Sequence, residues 1–254
     1  MAQNNKRSFD NEINIYLNRS GFKQFNPKAV LFDMDGVLYN SMPNHAYSWR
    51  TSMARFGINM SEDEAYRFEG MRGVETIKIV VKRQNGVDIS DEVSQRMYAE
   101  KSRIFATRPE APIMKGVLQL QRKIKKAGLK IVVVTGSGQH SLLSKLKNDF
   151  KGLVSDDMIV SSFDVSRGKP DPMPYLVGMK KANVQPWEAI VVENAPLGVR
   201  AAVAAKIFTI AVNTGPLPDK ALADEGANII FPKMTLLRDS IDNIISPNKP
   251  LPSA

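Results

Sequence analysis

Six short, almost wholly apolar runs frame this chain: Ala29–Phe32, Lys130–Val134, 158–160, 189–192, Phe208–Val212 and 228–231. Each is short, bounded by polar turns, and reads as a strand buried on both faces. Segments with helical spacing separate them, at 115–127, 140–150, 172–182 and 196–205. Buried strands alternating with helices form a parallel sheet covered on both sides. The expected fold is α/β, a doubly wound parallel sheet.

One stretch breaks the alternation. Residues 41–112 hold no convincing buried strand and read as helices over 44–56, 61–68, 74–83 and 91–107. Ser61 and Glu64 have the spacing of a capping box. This predicts a helical cap at 41–112, inserted into a core formed by 27–40 and 113–246. Residues 1–26 are expected to be an N-terminal extension with a helix at 10–20 stopped by Gly21, and 247–254 a tail.

Composition narrows the chemistry. The 254 residues include no cysteine, so disulfides, thiol nucleophiles and Cys–zinc sites are excluded. The longest apolar stretch, 201–212, is broken by Lys206 and is too short to span a bilayer. The start of the chain is polar, without the apolar block of a signal peptide, so a cytoplasmic protein with no membrane partner is expected. Thirty-five Lys and Arg against 26 Asp and Glu leave a net charge of +9. The basic residues are scattered, and their densest run, 122–130, reads as the solvated end of a helix stopped at Gly128. A small anionic substrate suits this balance, and a nucleic-acid partner is not expected. A monomer is expected over an obligate oligomer.

Four strand ends carry polar residues in order. The first gives Asp33-Met34-Asp35-Gly36, two carboxylates that need a cation or a proton to coexist. A calcium loop starting at Asp33 fails, because Val37, Leu38 and Asn44 stand where an oxygen donor, Gly and Glu are required. The second gives Thr135-Gly136-Ser137-Gly138 at a helix start, an anion-holding turn. Gly136 and Gly138 also match half of a dinucleotide fingerprint, but Ser141 stands at its third glycine. A nucleotide-cofactor oxidoreductase is the rival reading there, and it leaves Asp33 and Asp35 unexplained. The third is Lys169, on a loop stiffened by Pro170 and Pro172. The fourth is Glu193-Asn194, oxygen donors suited to Mg²⁺. Together they make a phosphoryl-transfer set.

These motifs, in this order, resemble the haloacid dehalogenase superfamily, and in particular its β-phosphoglucomutase-like group. The cap placement agrees, as do His45 and Trp49 after Asn40-Ser41. The resemblance implies a Rossmann-like core and a Mg²⁺-dependent phosphatase or phosphomutase of small sugar phosphates, with hydrolysis the first choice. It implies that Asp33 is the nucleophile, Asp35 the general acid and base, and Thr135 with Gly136 and Ser137 the phosphoryl holder. Lys169 would be the countercharge. Asp33, the Asp35 carbonyl, Glu193 and Asn194 would hold the metal. His45 would meet Asp35 or substrate, while His140 would be structural. Two positions depart from the family. Asn194 stands where an aspartate is usual, which implies weaker metal binding. Gly73 stands where the mutases carry a substrate-gripping arginine, with Arg72 one residue away as its expected substitute.

Overall fold

The computed structural model describes residues 8–138 and 140–246. The tail 247–254 and the His140 side chain lie outside the described residues. Six parallel strands form one sheet, in the order β3-β2-β1-β4-β5-β6. They are β1 (Ala29–Phe32), β2 (Lys130–Val134), β3 (Ile159–Val160), β4 (Ala189–Glu193), β5 (Phe208–Val212) and β6 (Ile229–Phe231). This order is that of a doubly wound fold, whose ligands bind beyond the carboxyl ends of the strands.

Alternation along each strand feeds two cores. Val30 and Phe32 of β1 and Val133 of β2 face one side, with α6 (Val117–Lys126) and α11 (Met234–Ile245). Ala29, Leu31, Val132 and Val134 face the other, with α8 (Met173–Ala182) and α9 (Pro196–Ala204). Helix α8 can lie close on the sheet because Gly178 has no side chain; a Cβ there would be 2.9 Å from Leu31. The basic run after 122 is the exposed end of α6, whose last turn carries Lys123, Lys125 and Lys126. Among the described residues, no helix is long and apolar enough to cross a membrane.

The N-terminal helix α1 (Asp10–Ser20) ends at Gly21 in the left-handed conformation, as its sequence predicts. It is no loose appendage. Phe9, Ile13 and Tyr16 are buried in the same cluster as β1 and β5. The Tyr16 hydroxyl donates to the Lys206 carbonyl at 3.0 Å, and its ring meets Phe208 edge-on. Helix α11 has no counterpart among the sequence expectations, although Leu237, Ile241 and Ile244 recur at helical spacing and are buried.

Four helices lie between β1 and β2: α2 (Met42–Arg55), α3 (Glu62–Arg67), α4 (Gly73–Asn85) and α5 (Asp91–Ala106). The expected capping box is present, with Ser61 Oγ accepting from the Glu64 amide at 3.1 Å and Glu64 accepting from the Ser61 amide at 2.8 Å. Helix α2 starts at Met42, two residues before its expected start, because Pro43 is compatible with a first turn. Met42, Trp49, Met53, Ile77, Val80 and Met97 make a core of their own. The two chain crossings run side by side, the Asn40 amide donating to the Pro112 carbonyl at 2.9 Å.

Tyr16→Ala is expected to lower the unfolding free energy by about 4 kcal/mol, the usual cost of emptying a large aromatic site. Urea denaturation followed by circular dichroism measures it; a loss below about 1 kcal/mol would show that α1 is dispensable to the core.

Candidate active site

Strand register assembles the site. Phe32 pairs with Val133 on one side and Val192 on the other. One residue further along, Asp33 therefore comes level with Val134 and Glu193. Its amide donates to the Val192 carbonyl at 3.0 Å, so the chain is still tied to the sheet at Asp33. At Gly36 the chain turns with φ +79°, and a Cβ there would collide with the Asn194 amide at 1.9 Å. Glycine alone permits both the turn and that close approach.

Lys169 is 1% exposed and sits between two acids. Its Nζ donates to Asp33 Oδ1 at 2.5 Å, to Glu193 Oε1 at 2.7 Å and to the Val134 carbonyl at 3.3 Å. Burial works against its charge, but Asp33 and Glu193 outweigh it and hold its pKa above the ordinary lysine value. The cost falls on Asp33. Burial pushes that carboxyl well up, Lys169 opposes, and Glu193 and Asp35 reinforce the rise. Two carboxylates thus flank the one ammonium, with Asp35 close enough to add to the rise on Asp33.

Glu193 was expected among metal ligands, but its carboxylate is already occupied. Oε1 accepts from Lys169 and from the Tyr175 hydroxyl at 2.7 Å, while Oε2 accepts from the amides of Asn194 at 2.9 Å and Ala195 at 3.2 Å. Its evident work is to hold Lys169. Gly198 makes room for it, since a Cβ there would lie 1.8 Å from Oε1. Asn194 is different. Its Oδ1 is buried without a hydrogen-bond partner among the described residues. Such an orphan acceptor fits a metal cation.

Asp35 has separate company. Oδ1 accepts from Ser41 Oγ at 2.7 Å and from His45 Nε2 at 3.2 Å. Lys101 Nζ stands 3.0 Å from His45 Nδ1. At that distance one of the two nitrogens donates to the other. Burial raises the Asp35 pKa, but His45, Ser41 and Lys101 outweigh it and hold it below the ordinary carboxylate value. Lys101 itself is pushed down by burial, against the pull of Glu69 and Asp35.

Asp33, Asp35, His45, Gly136 and Ser137 line one cavity. Thr135 is buried beside Lys169 and accepts from the Ser137 amide at 3.0 Å, which shapes the turn. Arg72 is not among the residues lining that cavity. Its guanidinium donates to the Ser166 carbonyl at 3.2 Å, its hydrocarbon stem lies against Gly168, and it lines a neighbouring cavity together with Thr135, Gly136 and Lys169. Lys101, Tyr175 and Gly198 were not singled out from sequence. A signal for Lys101 existed, because it shares the buried face of α5 with Met97 and Ile104. The insert closes over this site. Gly70 lies against Lys169, where a Cβ would be 2.9 Å from Cδ, and its carbonyl is 3.3 Å from the place of a Cβ on Gly136.

An aspartate at a strand tip, a buried lysine and an orphan amide oxygen define a phosphoryl-transfer class of site. Residues 30–212 match the haloacid dehalogenase-like hydrolase family. The chain is 30% identical over 187 residues to hexitol phosphatase A of Escherichia coli, covering 73% of this chain and 83% of that one. It is 32% identical over 203 residues to a phosphorylated carbohydrates phosphatase of Thermotoga maritima, covering 79% and 92%. A candidate β-phosphoglucomutase of Bacteroides vulgatus, of solved structure, matches with a TM-score of 0.90 at 48% identity over 94% and 97% of the two chains. The chain belongs to the haloacid dehalogenase-like hydrolases, and within them it is a phosphohydrolase or phosphomutase.

Gly198→Ala is expected to displace Glu193 and lower kcat roughly 100-fold, because small misplacements of catalytic groups cost about that much. Steady-state kinetics on the folded variant checks this; full turnover would show that Glu193 does not set the position of Lys169.

Proposed function

We propose that this protein is a Mg²⁺-dependent phosphatase of small sugar phosphates that works through an aspartyl-phosphate on Asp33. The observation that carries the reading is the division of labour between two carboxylates two residues apart. Asp33 faces a lysine, whereas Asp35 faces Ser41 and His45. Paired acids in contrasting surroundings take different roles. Relatives whose names specify hexitol phosphate and phosphorylated carbohydrates support the substrate class.

In this reading an Asp33 oxygen attacks phosphorus and the bond to the sugar oxygen breaks. Asp35 supplies the proton to that leaving oxygen. It then takes a proton from the water that attacks the phosphorylated Asp33, which frees inorganic phosphate and restores the carboxylate. Lys169 neutralises charge between Asp33 and the phosphoryl group. The Thr135 hydroxyl and the amides at Gly136 and Ser137 hold the phosphoryl oxygens.

Asp33, the Asp35 carbonyl and Asn194 Oδ1 are the donors for the ion, with Glu193 tied to Lys169 instead. Bound there, Mg²⁺ supplies charge neutralisation for the transferring group. Among the described residues no three His, Cys, Asp or Glu side chains form a ready cage. Mg²⁺ needs none, because it keeps waters and binds through few carboxylates plus phosphate.

A mutase shares every core residue, and the likeness to a candidate β-phosphoglucomutase favours that second reading. Hydrolysis comes first because Gly73 stands at the position of the mutase arginine and, among the described residues, no arginine lines the cavity that Asp33 and Asp35 share.

Asp33→Asn is expected to abolish turnover with an unchanged circular dichroism spectrum; retained activity would falsify the mechanism. Chelation of Mg²⁺ should likewise stop activity, and Asn194→Asp should lower the Mg²⁺ concentration for half-maximal rate. β-Glucose 1-phosphate with a trace of glucose 1,6-bisphosphate separates the two readings: inorganic phosphate marks a phosphatase, glucose 6-phosphate without it a mutase.

A further inference from the structure

The cavity wall contributed by the insert decides what can sit beyond the reacting phosphoryl group. Glu69, Trp49, Tyr98, Phe68 and Lys101 form it. Gly73 lets the Tyr98 ring lie there, because a Cβ at position 73 would stand 2.0 Å from the ring Cε2. Position 73 can carry no side chain while Tyr98 keeps its place, so a ring occupies the space into which a cation would extend. Trp49 and Tyr98 stand next to each other, with centroids 6.1 Å apart and planes tilted by 40°.

Lys101 is the one Lys or Arg among the described residues lining this cavity. Its ammonium is directed at His45 and ringed by Trp49 at 5.1 Å and Phe105 at 5.0 Å. Asp35 and Glu69 bring two carboxyls to this side, and the Lys101 ammonium is already turned to His45 and the rings. Among the described residues the wall therefore offers no other cation. A second phosphate placed against it finds no countercharge. Neutral hydroxyls instead find a carboxylate acceptor, and the C–H faces of a polyol or sugar find aromatic rings.

We propose that Glu69, together with the Tyr98 ring that Gly73 admits, selects substrates whose far end is an uncharged polyhydroxyl group and turns away substrates with a second phosphate. This deepens the phosphatase reading and rests on it. It also separates the enzyme from a mutase by chemistry alone. A phosphoenzyme that returns its phosphoryl group to a sugar monophosphate must hold a bisphosphate, and this wall disfavours one.

The test uses the full chain with Mg²⁺. Phosphate release is measured from sorbitol 6-phosphate and fructose 1,6-bisphosphate for the wild type, Glu69→Gln and Glu69→Lys. The wild type is expected to favour the monophosphate in kcat/KM by roughly tenfold or more, the worth of one charged hydrogen bond. Glu69→Gln should shrink that ratio. Glu69→Lys should raise kcat/KM for the bisphosphate above the wild-type value, a gain that misfolding cannot produce. Equal wild-type use of both compounds, or no gain in Glu69→Lys, overturns the proposal. Absence of phosphate release from these compounds and from p-nitrophenyl phosphate counts against the phosphatase reading instead. Calorimetric binding of both compounds to Asp33→Asn with Mg²⁺ then still reads the preference, and equal or undetectable affinities overturn it.

Discussion

A lysine ammonium buried between two carboxylates is the contact on which this structure turns. Alone, a buried charge costs several kcal/mol. Lys169 is tolerated because Asp33 and Glu193 flank it and the Val134 carbonyl accepts from it. Each of those partners stands where it does for a reason that starts in the sheet. β1 and β4 run in register, so Asp33 and Glu193 emerge level with one another. Glu193 can fold back on Lys169 only because position 198 has no side chain. Close packing, parallel register and one glycine are thus prerequisites for charge placement, and charge placement is prerequisite to chemistry.

The second acid depends on a different part of the chain. Asp35 leaves the same turn as Asp33, yet its partners come from the inserted helices. Ser41 and His45 belong to the start of α2, and Lys101 to α5. The insert therefore does more than cover the core. It supplies the hydrogen-bond partners of the second acid. The core fixes Asp33, and the insert surrounds Asp35.

Much of this was readable in the residue order, and the part that was not has a physical explanation. Almost wholly apolar runs such as Lys130–Val134 mark strands because a sheet covered on both faces admits few polar residues. Polar residues directly after those runs mark the site, because the strand tips are where the covering helices end. The capping box at Ser61 and Glu64 is a local interaction, and local interactions are legible. The occupancy of Glu193 was not legible, since it depends on a lysine 24 residues away and a tyrosine 18 residues away that only folding brings together. The placement of Arg72 was not legible for a different reason: it is the extended residue just before α4, and the Ser166 carbonyl it meets lies 94 residues away. Lys101 lay 56 residues from His45 on another helix, beyond any spacing rule.

Gly70 ties the two halves together. Its backbone rests on the hydrocarbon stem of Lys169 and reaches the Gly136 turn. The insert is thus pressed against the same lysine that pairs with Asp33. Any bulkier residue at position 70 would push the insert off the core, so the fit of two layers here hangs on one absent methyl group.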